Sequence, residues 1–259
     1  MRAPLYDPGI SVAAQASARL GMFGALLAAI ALGLTALDRL SPYVGLVVLA
    51  FAALFGLGAL LFALRAMASI WNFGKRGMVP MLTGLFFACL LLAAPAWLGL
   101  QALLLPPLHD ISTTIRHPPH FSMTLPALAA RGGHTPADIS AQDRAPQRTA
   151  YPDVQPILVD VTPLQAFELA LRAARALNWT IVATRAAARH DPTYHIDATH
   201  KWPLLHFIDD ITIRVEPADG QARVDIRAVS RLDGPDYGNN ARLIQQFIDQ
   251  YQTLVDNLD

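Results

Sequence analysis

The sequence places two carboxylates side by side, Asp209 and Asp210, with Arg227 a short distance further along the chain. Paired carboxylates can perform acid–base work or hold a cation, because each charge shifts the pKa of the other. Neighbouring residues of a β-strand point to opposite faces, so only Asp210 is expected to share a face with Arg227. The alternative interpretation is a cross-strand ion pair, which stabilises a sheet by about 0.2–1 kcal/mol.

The loop at 230–240 leads into a predicted helix, whose first N–H groups could bind an anion such as a lipid phosphate. Arg231 and Arg242 would add positive charge to such a site. Capping of the helix by Asp236 or Asn239 is the alternative, and it requires no ligand. The candidate binding surface predicted from these features comprises Asp210, Arg227, Ser230, Arg231, Asp236, Asn240 and Arg242.

Patterns typical of catalytic or metal sites are not found in the sequence. His109-Asp110 has no nucleophile motif to accompany it, because the chain lacks Gly-x-Ser-x-Gly and its single cysteine, Cys89, lies in an apolar run. A composite site from His195, Asp197 and His200 is conceivable, but the histidines lack the spacing of zinc ligands on one element. The sequence therefore predicts no catalytic residue, no metal and no cofactor.

The elements that would position these side chains lie at 157–259, where the pattern predicts an α+β domain. Residues 157–161 form a short apolar strand. Thr162, Pro163 and Gln165 then supply a cap, a first helical residue and a capping box. The apolar stripe predicted for this helix comprises Leu164, Phe167, Leu171, Ala174 and Leu177.

Two further strands are predicted at 179–184 and 193–199, and the second alternates apolar with polar residues. A hairpin at 207–230 follows, and a helix from about 239 to 258 carries one continuous apolar stripe. The order is β-α-β-β-β-β-α, which indicates a small antiparallel sheet with helices packed on one face.

The hairpin is the best-defined unit of this domain. Its strands flank Pro217-Ala218-Asp219-Gly220, a strong turn signal. Folding symmetrically about these four residues pairs Ile211 with Ile226, so that apolar residues meet apolar residues along both strands. The same register places Asp210 opposite Arg227.

Between 106 and 156 the chain carries nine prolines and no sustained periodicity. Proline fixes φ and disfavours helix in the residue that precedes it. We therefore predict a Pro-rich linker here, wrapped partly on the domain and mobile around 131–148, where Gly132-Gly133 and polar residues cluster.

Residues 1–105 are predicted to be a membrane anchor. Three apolar stretches, at about 20–37, 44–64 and 79–105, are each long enough to cross a lipid bilayer, which takes about 20 residues. No charged residue lies in the middle of a stretch, which disfavours a transporter or channel.

The distribution of charge sets the orientation and limits the partners. The formal net charge is zero, and nucleic-acid binding requires a basic surface, so no nucleic acid is expected. Arginine and lysine residues on the predicted cytoplasmic side are Arg2, Arg19, Arg65, Lys75 and Arg76, against Arg39 and Arg116 on the other. This bias puts the N-terminus inside and the C-terminal domain outside.

Several strings, in their order and spacing, resemble the bacterial domain-of-unknown-function family 1499. They are His109-Asp110-Ile111-Ser112-Thr113, Pro118-Pro119-x-Phe121, Tyr151-Pro152-Asp153, Phe207-x-Asp209-Asp210-Ile211-x-Ile213-Arg214-Val215, Asp225-Ile226-Arg227-x-x-Ser230-Arg231 and Asp236-x-Gly238-x-Asn240-x-x-Arg242. The resemblance covers about 106–258, and the three spans before it resemble the membrane-anchored branch. It implies a bacterial envelope protein and no established activity. Together with the three spans and the charge bias, this predicts a multi-pass protein of the bacterial inner (cytoplasmic) membrane with its C-terminal domain in the periplasm.

Three functions are compatible with these observations. The leading hypothesis is a non-catalytic, membrane-anchored binding module of the bacterial cell envelope that recognises a lipid, an envelope polymer or a protein partner. The second is an envelope hydrolase that uses Asp209 or Asp210 with His109. The third is a structural scaffold in which the spans oligomerise.

Overall fold

The computed structural model describes residues 9–137, 139–232 and 234–258, and the side chains at 141–144 fall outside the description. Arg2, which contributes to the predicted orientation, also lies outside the described residues. The chain divides into two compact units. Residues 1–100 with 203–206 form the helical unit, and residues 101–202 with 207–259 form the sheet unit.

Among the described residues, three long helices make up the helical unit: α1 (Val12–Ala36), α2 (Pro42–Phe73) and α3 (Met78–Leu104), of which residues 101–104 belong to the sheet unit. Each is long and apolar enough to cross a membrane, which confirms three candidate membrane-spanning helices. Ser11 caps α1 and Ser41 caps α2, while Gly74 ends α2 in the left-handed conformation. These caps explain why α1 begins before the predicted apolar stretch and α2 continues beyond it.

Small residues let the helices of this unit approach one another closely. A Cβ added to Gly24 would lie 2.8 Å from Leu91 of α3, and one added to Gly84 would overlap Ser17 of α1. The Ser17 hydroxyl donates in turn to the carbonyl of Ala59 in α2 at 2.7 Å. Close packing and hydrogen bonds of this kind hold helices together in lipid, where the hydrophobic effect between them is lost.

In the part of the sheet unit that the structure describes, there are six strands and four shorter helices. The strands are β1 (Asp110–Ser112), β2 (Ile157–Val159), β3 (Thr180–Arg185), β4 (Tyr194–Lys201), β5 (Ile208–Ala218) and β6 (Gln221–Ser230). The helices are α4 (Leu125–Ala130), α5 (Ala141–Ala150), α6 (Pro163–Ala176) and α7 (Asn239–Asp256). All strand pairs are antiparallel, in the order β1-β6-β5-β4-β3, and β2 also pairs with β6. The predicted α+β class and the element order from β2 onwards are confirmed.

Helices α6 and α7 pack on one face of the sheet, against apolar residues that alternate along β4, β5 and β6. Thr162 and Gln165 form the predicted capping box at the start of α6. The stripe predicted for α6 is partly wrong, because Leu164 is exposed. The buried residues of this helix are Ala166, Leu169, Ala170, Ala173 and Ala174. Alanine side chains bring the helix close to the sheet, so the larger residues pack at the margins of the contact.

The β5–β6 hairpin turns on two residues rather than four. Ala218 pairs with Gln221, and Asp219 and Gly220 between them have φ values of 48° and 85°. Positive φ at both central residues is what a type I′ turn requires, and its twist matches that of the strands.

The hairpin register therefore differs by two residues from the prediction, and the predicted pairing of Asp210 with Arg227 is wrong. Arg227 lies opposite Thr212, and Ile226 lies opposite Ile213. A shift of two residues leaves every side chain on its predicted face, so the alternation of apolar and polar residues cannot distinguish the two registers.

The segment predicted to be a linker carries β1, α4 and α5, and it belongs to the sheet unit. Strand β1 pairs with the end of β6, from Asp110 opposite Val229 to Ser112 opposite Arg227. Residues 113–137, which we call the strap, then cross the face of the sheet that α6 and α7 leave uncovered, as their hydrogen bonds to β4, β5 and β6 show.

Candidate functional site

The strap covers a layer of buried polar and charged side chains. This layer comprises Asp110 and Ser112 on β1, His195 and Asp197 on β4, Asp210 and Thr212 on β5, and Asp225 and Arg227 on β6. Charges taken out of water have to be paired and hydrogen-bonded. Each charged residue of this layer consequently has specific partners.

Arg227 is only 1% exposed and has partners on two segments of the chain. Its Nε and Nη2 atoms donate to the two carboxylate oxygens of Asp110 at 2.9 and 2.6 Å, which makes a bidentate pair. It also donates to the carbonyls of Pro119 and Ala137, and its guanidinium lies 5.4 Å from the centroid of Phe121. Strand β1 and the strap together therefore enclose this cation.

Asp210 is paired with Arg231 rather than with Arg227. The Nη2 and Nε atoms of Arg231 lie 2.7 and 2.9 Å from the carboxylate oxygens of Asp210. Arg231 also donates to the carbonyl of Ala130 at the end of α4. The observed register places Val229 directly opposite Asp210, so the cation comes from two residues further along, just beyond β6.

Asp197 on β4 connects the sheet to the strap. It accepts from the Arg131 guanidinium at 3.3 Å, from the Ser122 backbone at 2.9 Å and from His195 at 3.1 Å. Burial acts to raise the pKa of Asp197, but hydrogen bonds from His195, Thr212 and Ser122 outweigh it and lower the pKa below its usual range. Arg131, which the sequence places in a mobile stretch, is buried in this contact.

Asp225 anchors the beginning of the strap. Arg214 and Arg223 donate to its carboxylate at 2.7 and 3.1 Å. The hydroxyls of Thr113 and Thr114, the first residues of the strap, donate to the same carboxylate. Four ion-pair clusters, centred on Arg227, Asp210, Asp197 and Asp225, thus fix the strap along its length.

The N-terminus of α7 is capped from within the protein. Asp236 accepts from the backbone N–H groups of Gly238 and Asn240 at 2.9 and 2.8 Å, so the capping interpretation describes this end. Asn240 is buried and donates to the carbonyl of His109 at 2.8 Å, and the Ser230 backbone donates to that carbonyl at 3.0 Å. The start of α7 therefore contacts the residue that precedes β1. The N–H groups of Gly238 and Asn240 are already bound by Asp236 and are not available to a ligand.

Of the seven residues predicted to form a binding surface, some are buried and others are accessible. The buried members, each with partners inside the sheet unit, are Asp210, Arg227, Asp236 and Asn240. Ser230 and Arg231 are half-buried, and Arg242 is exposed. Arg242 alone of the seven is thus freely accessible, and it donates to Asn239 and to the carbonyl of Gly238.

The histidines suggested for a composite site are separated by the sheet. His195 lies on the strap face beside Asp197, whereas His200 lies on the helix face, because the two are five residues apart on one strand. Burial lowers the pKa of His200, and its ring meets the Trp202 ring edge-on with centroids 4.9 Å apart. The two rings are therefore not brought together around one ligand.

A family model described as "Protein of unknown function (DUF1499)" matches residues 110–251, which is more than half of the chain. The chain belongs to the DUF1499 family. None of the curated proteins matches it. The DUF1499 match begins at Asp110, the partner of Arg227, and ends at Tyr251, a buried residue of α7. It therefore encloses the strap together with the sheet and its helices.

An open groove of about 330 Å³ lies beside the start of α7, and all of its walls belong to the sheet unit. Tyr151, Asp153 and Arg242 are among the lining residues. The Tyr151 hydroxyl is buried and has no hydrogen-bond partner among the described residues. Burial and the nearby Asp236 raise the pKa of Tyr151, although Arg242 acts to lower it, so the hydroxyl keeps its proton.

Neither Tyr151 nor Asp153 is among the site residues predicted from the sequence. Both stand in Tyr151-Pro152-Asp153, one of the strings that carry the resemblance to DUF1499. That string was the available signal. Tyr151 and Asp153 come together with Arg242 only in the folded chain. Helical or strand periodicity relates residues that are close in sequence, so it cannot predict this contact.

Asp209 is a buried carboxylate near the start of β5. The indole N–H of Trp202 donates to it at 2.5 Å. Burial raises the pKa of Asp209 to about 6 despite hydrogen bonds from Trp202 and Ser230, and the charges of Asp236 and Asp210 act in the same direction as burial. His109 was predicted to act with Asp209, but its side chain is exposed. Its backbone carbonyl accepts a hydrogen bond from the Asn240 side chain.

Breaking the Arg227–Asp110 pair should strongly destabilise the sheet unit. Arg227→Gln is expected to lower the free energy of unfolding by about 3–5 kcal/mol, because it removes the bidentate pair with Asp110 and the guanidinium donor to the carbonyls of Pro119 and Ala137. Arg227→Met combined with Asp110→Leu should recover most of that loss. Thermal and chemical unfolding of the full chain in detergent measures both effects.

The matched control for this variant is Arg185→Gln, which removes an ion pair with Asp191 at the surface. Its expected loss is under about 1 kcal/mol, since exposed pairs contribute little. Similar losses for Arg185→Gln and Arg227→Gln would contradict a dominant role for the buried pair.

The raised pKa of Asp209 predicts a specific pH dependence of stability. The folded state holds this proton more tightly than the unfolded state, whose Asp pKa is about 3.9, so stability falls as pH rises from about 4 to about 6. This difference in pKa between the folded and unfolded states corresponds to about 3 kcal/mol. Asp209→Asn should remove this loss and unfold at a higher temperature than the wild type above pH 6.

Unfolding midpoints between pH 4 and pH 7 measure this effect, and the exposed Asp249→Asn variant serves as the control. Identical pH profiles for the wild type and Asp209→Asn would show that Asp209 titrates as an ordinary carboxylate.

Proposed function

We propose that this DUF1499 chain is a non-catalytic, membrane-anchored binding module of the bacterial cell envelope. The sheet unit would recognise a lipid, an envelope polymer or a protein partner. The observation that carries this proposal is the groove beside Tyr151 and Arg242. An accessible cavity with convergent polar groups is the usual form of a binding site, and an unpaired buried hydroxyl calls for an explanation such as a missing ligand.

The charged residues of the sheet unit favour binding over catalysis. A general acid or base has to come within hydrogen-bond reach of its substrate. Asp210 is held by both arms of the Arg231 guanidinium, and Asp209 is buried against Trp202. These carboxylates are used to hold the fold, whereas Arg242 and Asp153 face the solvent at the groove.

An envelope hydrolase is the second candidate, and the pKa of Asp209 near 6 favours it, because general acids work best with a pKa close to the ambient pH. Loss of substrate turnover in the Asp209→Asn variant, with binding and fold retained, would support this hydrolase. Retained turnover in that variant would exclude it.

We further propose that the helical unit lies in the inner membrane, with the N-terminus in the cytoplasm and the sheet unit in the periplasm. The bias of Arg and Lys toward the N-terminal segment and the α2–α3 connection supports this orientation. The resemblance to the membrane-anchored branch of the family supports it as well.

A reporter enzyme that is active only outside the cytoplasm tests the orientation. Fused after the sheet unit, it should be active. Fused in the α2–α3 connection at Lys75, it should be inactive, which provides the matched control. The reverse pattern would place the sheet unit in the cytoplasm and remove the envelope function.

Native mass spectrometry of the full chain, extracted gently from the membranes of its own host, tests the binding function. A bound lipid, polymer fragment or protein of defined mass is expected, and Arg242→Glu should reduce its occupancy. Repeated recovery of the chain without any bound component would contradict a binding module.

A further inference from the structure

We infer that the groove beside α7 binds the headgroup of a zwitterionic phospholipid that carries a primary ammonium, with its phosphate at Arg242 and Tyr151 and its ammonium at Asp153. This inference rests on the proposed function and names the ligand of the module. The ligand class follows from the groove's charges, its unpaired hydroxyl, its apolar walls and its place in the chain.

The charges of the groove match a zwitterion. Among its lining residues Arg242 carries the positive charge and Asp153 the negative charge, while the Asp236 carboxylate near Tyr151 accepts the N–H groups of Gly238 and Asn240. Both side chains are exposed, and no ion pair between them is found among the described residues. An anionic ligand would meet repulsion from Asp153, and a cationic one would meet repulsion from Arg242. A headgroup with both charges satisfies each side chain, and a primary ammonium can also donate hydrogen bonds to the carboxylate.

Arg242 keeps donors available for a phosphate. Its Nε contacts the Gly238 carbonyl at 3.4 Å, and one Nη atom donates to Asn239. A guanidinium has five N–H donors in a planar fork, so others remain free to bind phosphate oxygens.

The Tyr151 hydroxyl is the second phosphate donor. It lines the groove wall, yet the described residues offer it no acceptor. A Cβ built on Gly238 would lie 3.3 Å from this hydroxyl and 2.9 Å from Cδ1 of Leu105, so these two side chains converge over the glycine. Gly238 has a φ of 78° and no side chain, and this allows their close approach. Because the hydroxyl is buried, the inference requires a side-chain movement, such as rotation of the neighbouring Leu105, that brings it to the groove surface.

The walls suit the glycerol end of a lipid. Leu105, Pro152, Val154 and Ala241 line the groove with apolar atoms. A cavity of about 330 Å³ has room for a headgroup and its glycerol, whereas the acyl chains would stay outside. Leu105 directly follows Leu104, the last residue of the candidate span α3, so the groove wall is covalently joined to a membrane helix. Phospholipid is the amphiphile that such a position meets at the highest concentration.

Lipid binding to the delipidated full chain in detergent tests this inference. Native mass spectrometry follows titration with dioleoyl phosphatidylethanolamine or dioleoyl phosphatidylglycerol. The wild type should bind one phosphatidylethanolamine and bind phosphatidylglycerol more weakly. Arg242→Gln should weaken phosphatidylethanolamine binding by about tenfold or more, and Tyr151→Phe by roughly fivefold to tenfold, as expected for charged and neutral hydrogen bonds.

Asp153→Asn should change the selectivity rather than abolish binding. Without the carboxylate, the ammonium loses its partner and the anionic headgroup loses its repulsion, so the preference for phosphatidylethanolamine should disappear. Arg172→Gln is the matched control, because Arg172 is exposed on α6 and does not line the groove. It should bind both lipids as the wild type does.

The stability of the lipid-free Tyr151→Phe variant separates a ligand-binding hydroxyl from a structural one. An unpaired buried hydroxyl destabilises the fold, so its removal should leave the unfolding temperature unchanged or raise it. A fall in the unfolding temperature would show that the hydroxyl has an internal partner and would overturn its assignment to a ligand.

Three binding results would overturn the inference. They are equal phosphatidylethanolamine binding by the wild type and the Arg242→Gln and Tyr151→Phe variants, a wild-type preference for phosphatidylglycerol, and competition by glycerophosphoethanolamine as strong as by the intact lipid. The last would assign the groove to a soluble headgroup. A different ligand recovered from host membranes would then preserve the proposed binding function, whereas recovery of no ligand would remove both.

Discussion

A guanidinium buried inside a protein has to be surrounded by acceptors, and Arg227 meets this requirement with residues from outside its own hairpin. Asp110 supplies the carboxylate, and the strap supplies two carbonyls and the ring of Phe121. Because an unpaired buried charge is strongly destabilising, the sheet cannot keep Arg227 without β1 and the strap. The Pro-rich segment is consequently part of the folded unit, and the family match begins at Asp110, the first residue of β1.

The two faces of the sheet are stabilised by different forces. On the helix face, α6 and α7 bury alternating Ile and Val residues, and the hydrophobic effect supplies the stabilisation. On the strap face, Asp197, Asp225 and Arg227 are each matched to specific partners. Such pairs contribute less to net stability than apolar packing does, but they demand one geometry. They fix the path of the strap, which precedes the segment that carries Tyr151.

This arrangement explains which charged side chains remain accessible to solvent. The charged residues that stand out in the sequence are mostly enclosed, because the fold uses them to hold its own segments together. Asp209 illustrates the point, since the same burial that raises its pKa also separates it from solvent. Within the sheet unit, the groove lies where Gln101 and Leu105 meet residues 151–154 and the beginning of α7, and there Arg242 and Asp153 stay exposed. The groove is therefore the place where the sheet unit can bind a ligand through charged side chains.

The sequence by itself determined the three apolar helices, the order of elements from β2 onwards, the capping box of α6 and the faces of the hairpin strands. These features depend on local propensity, helix caps and periodicity, all of which act between residues close in the chain. The tertiary structure decided the hairpin register, because a shift of two residues preserves every face. It alone decided that Arg227 pairs with Asp110, that Arg131 is buried against Asp197 and that Tyr151 meets Arg242 in one groove. Each of these contacts joins segments far apart in the chain, and only burial and the pairing of charges in three dimensions select them.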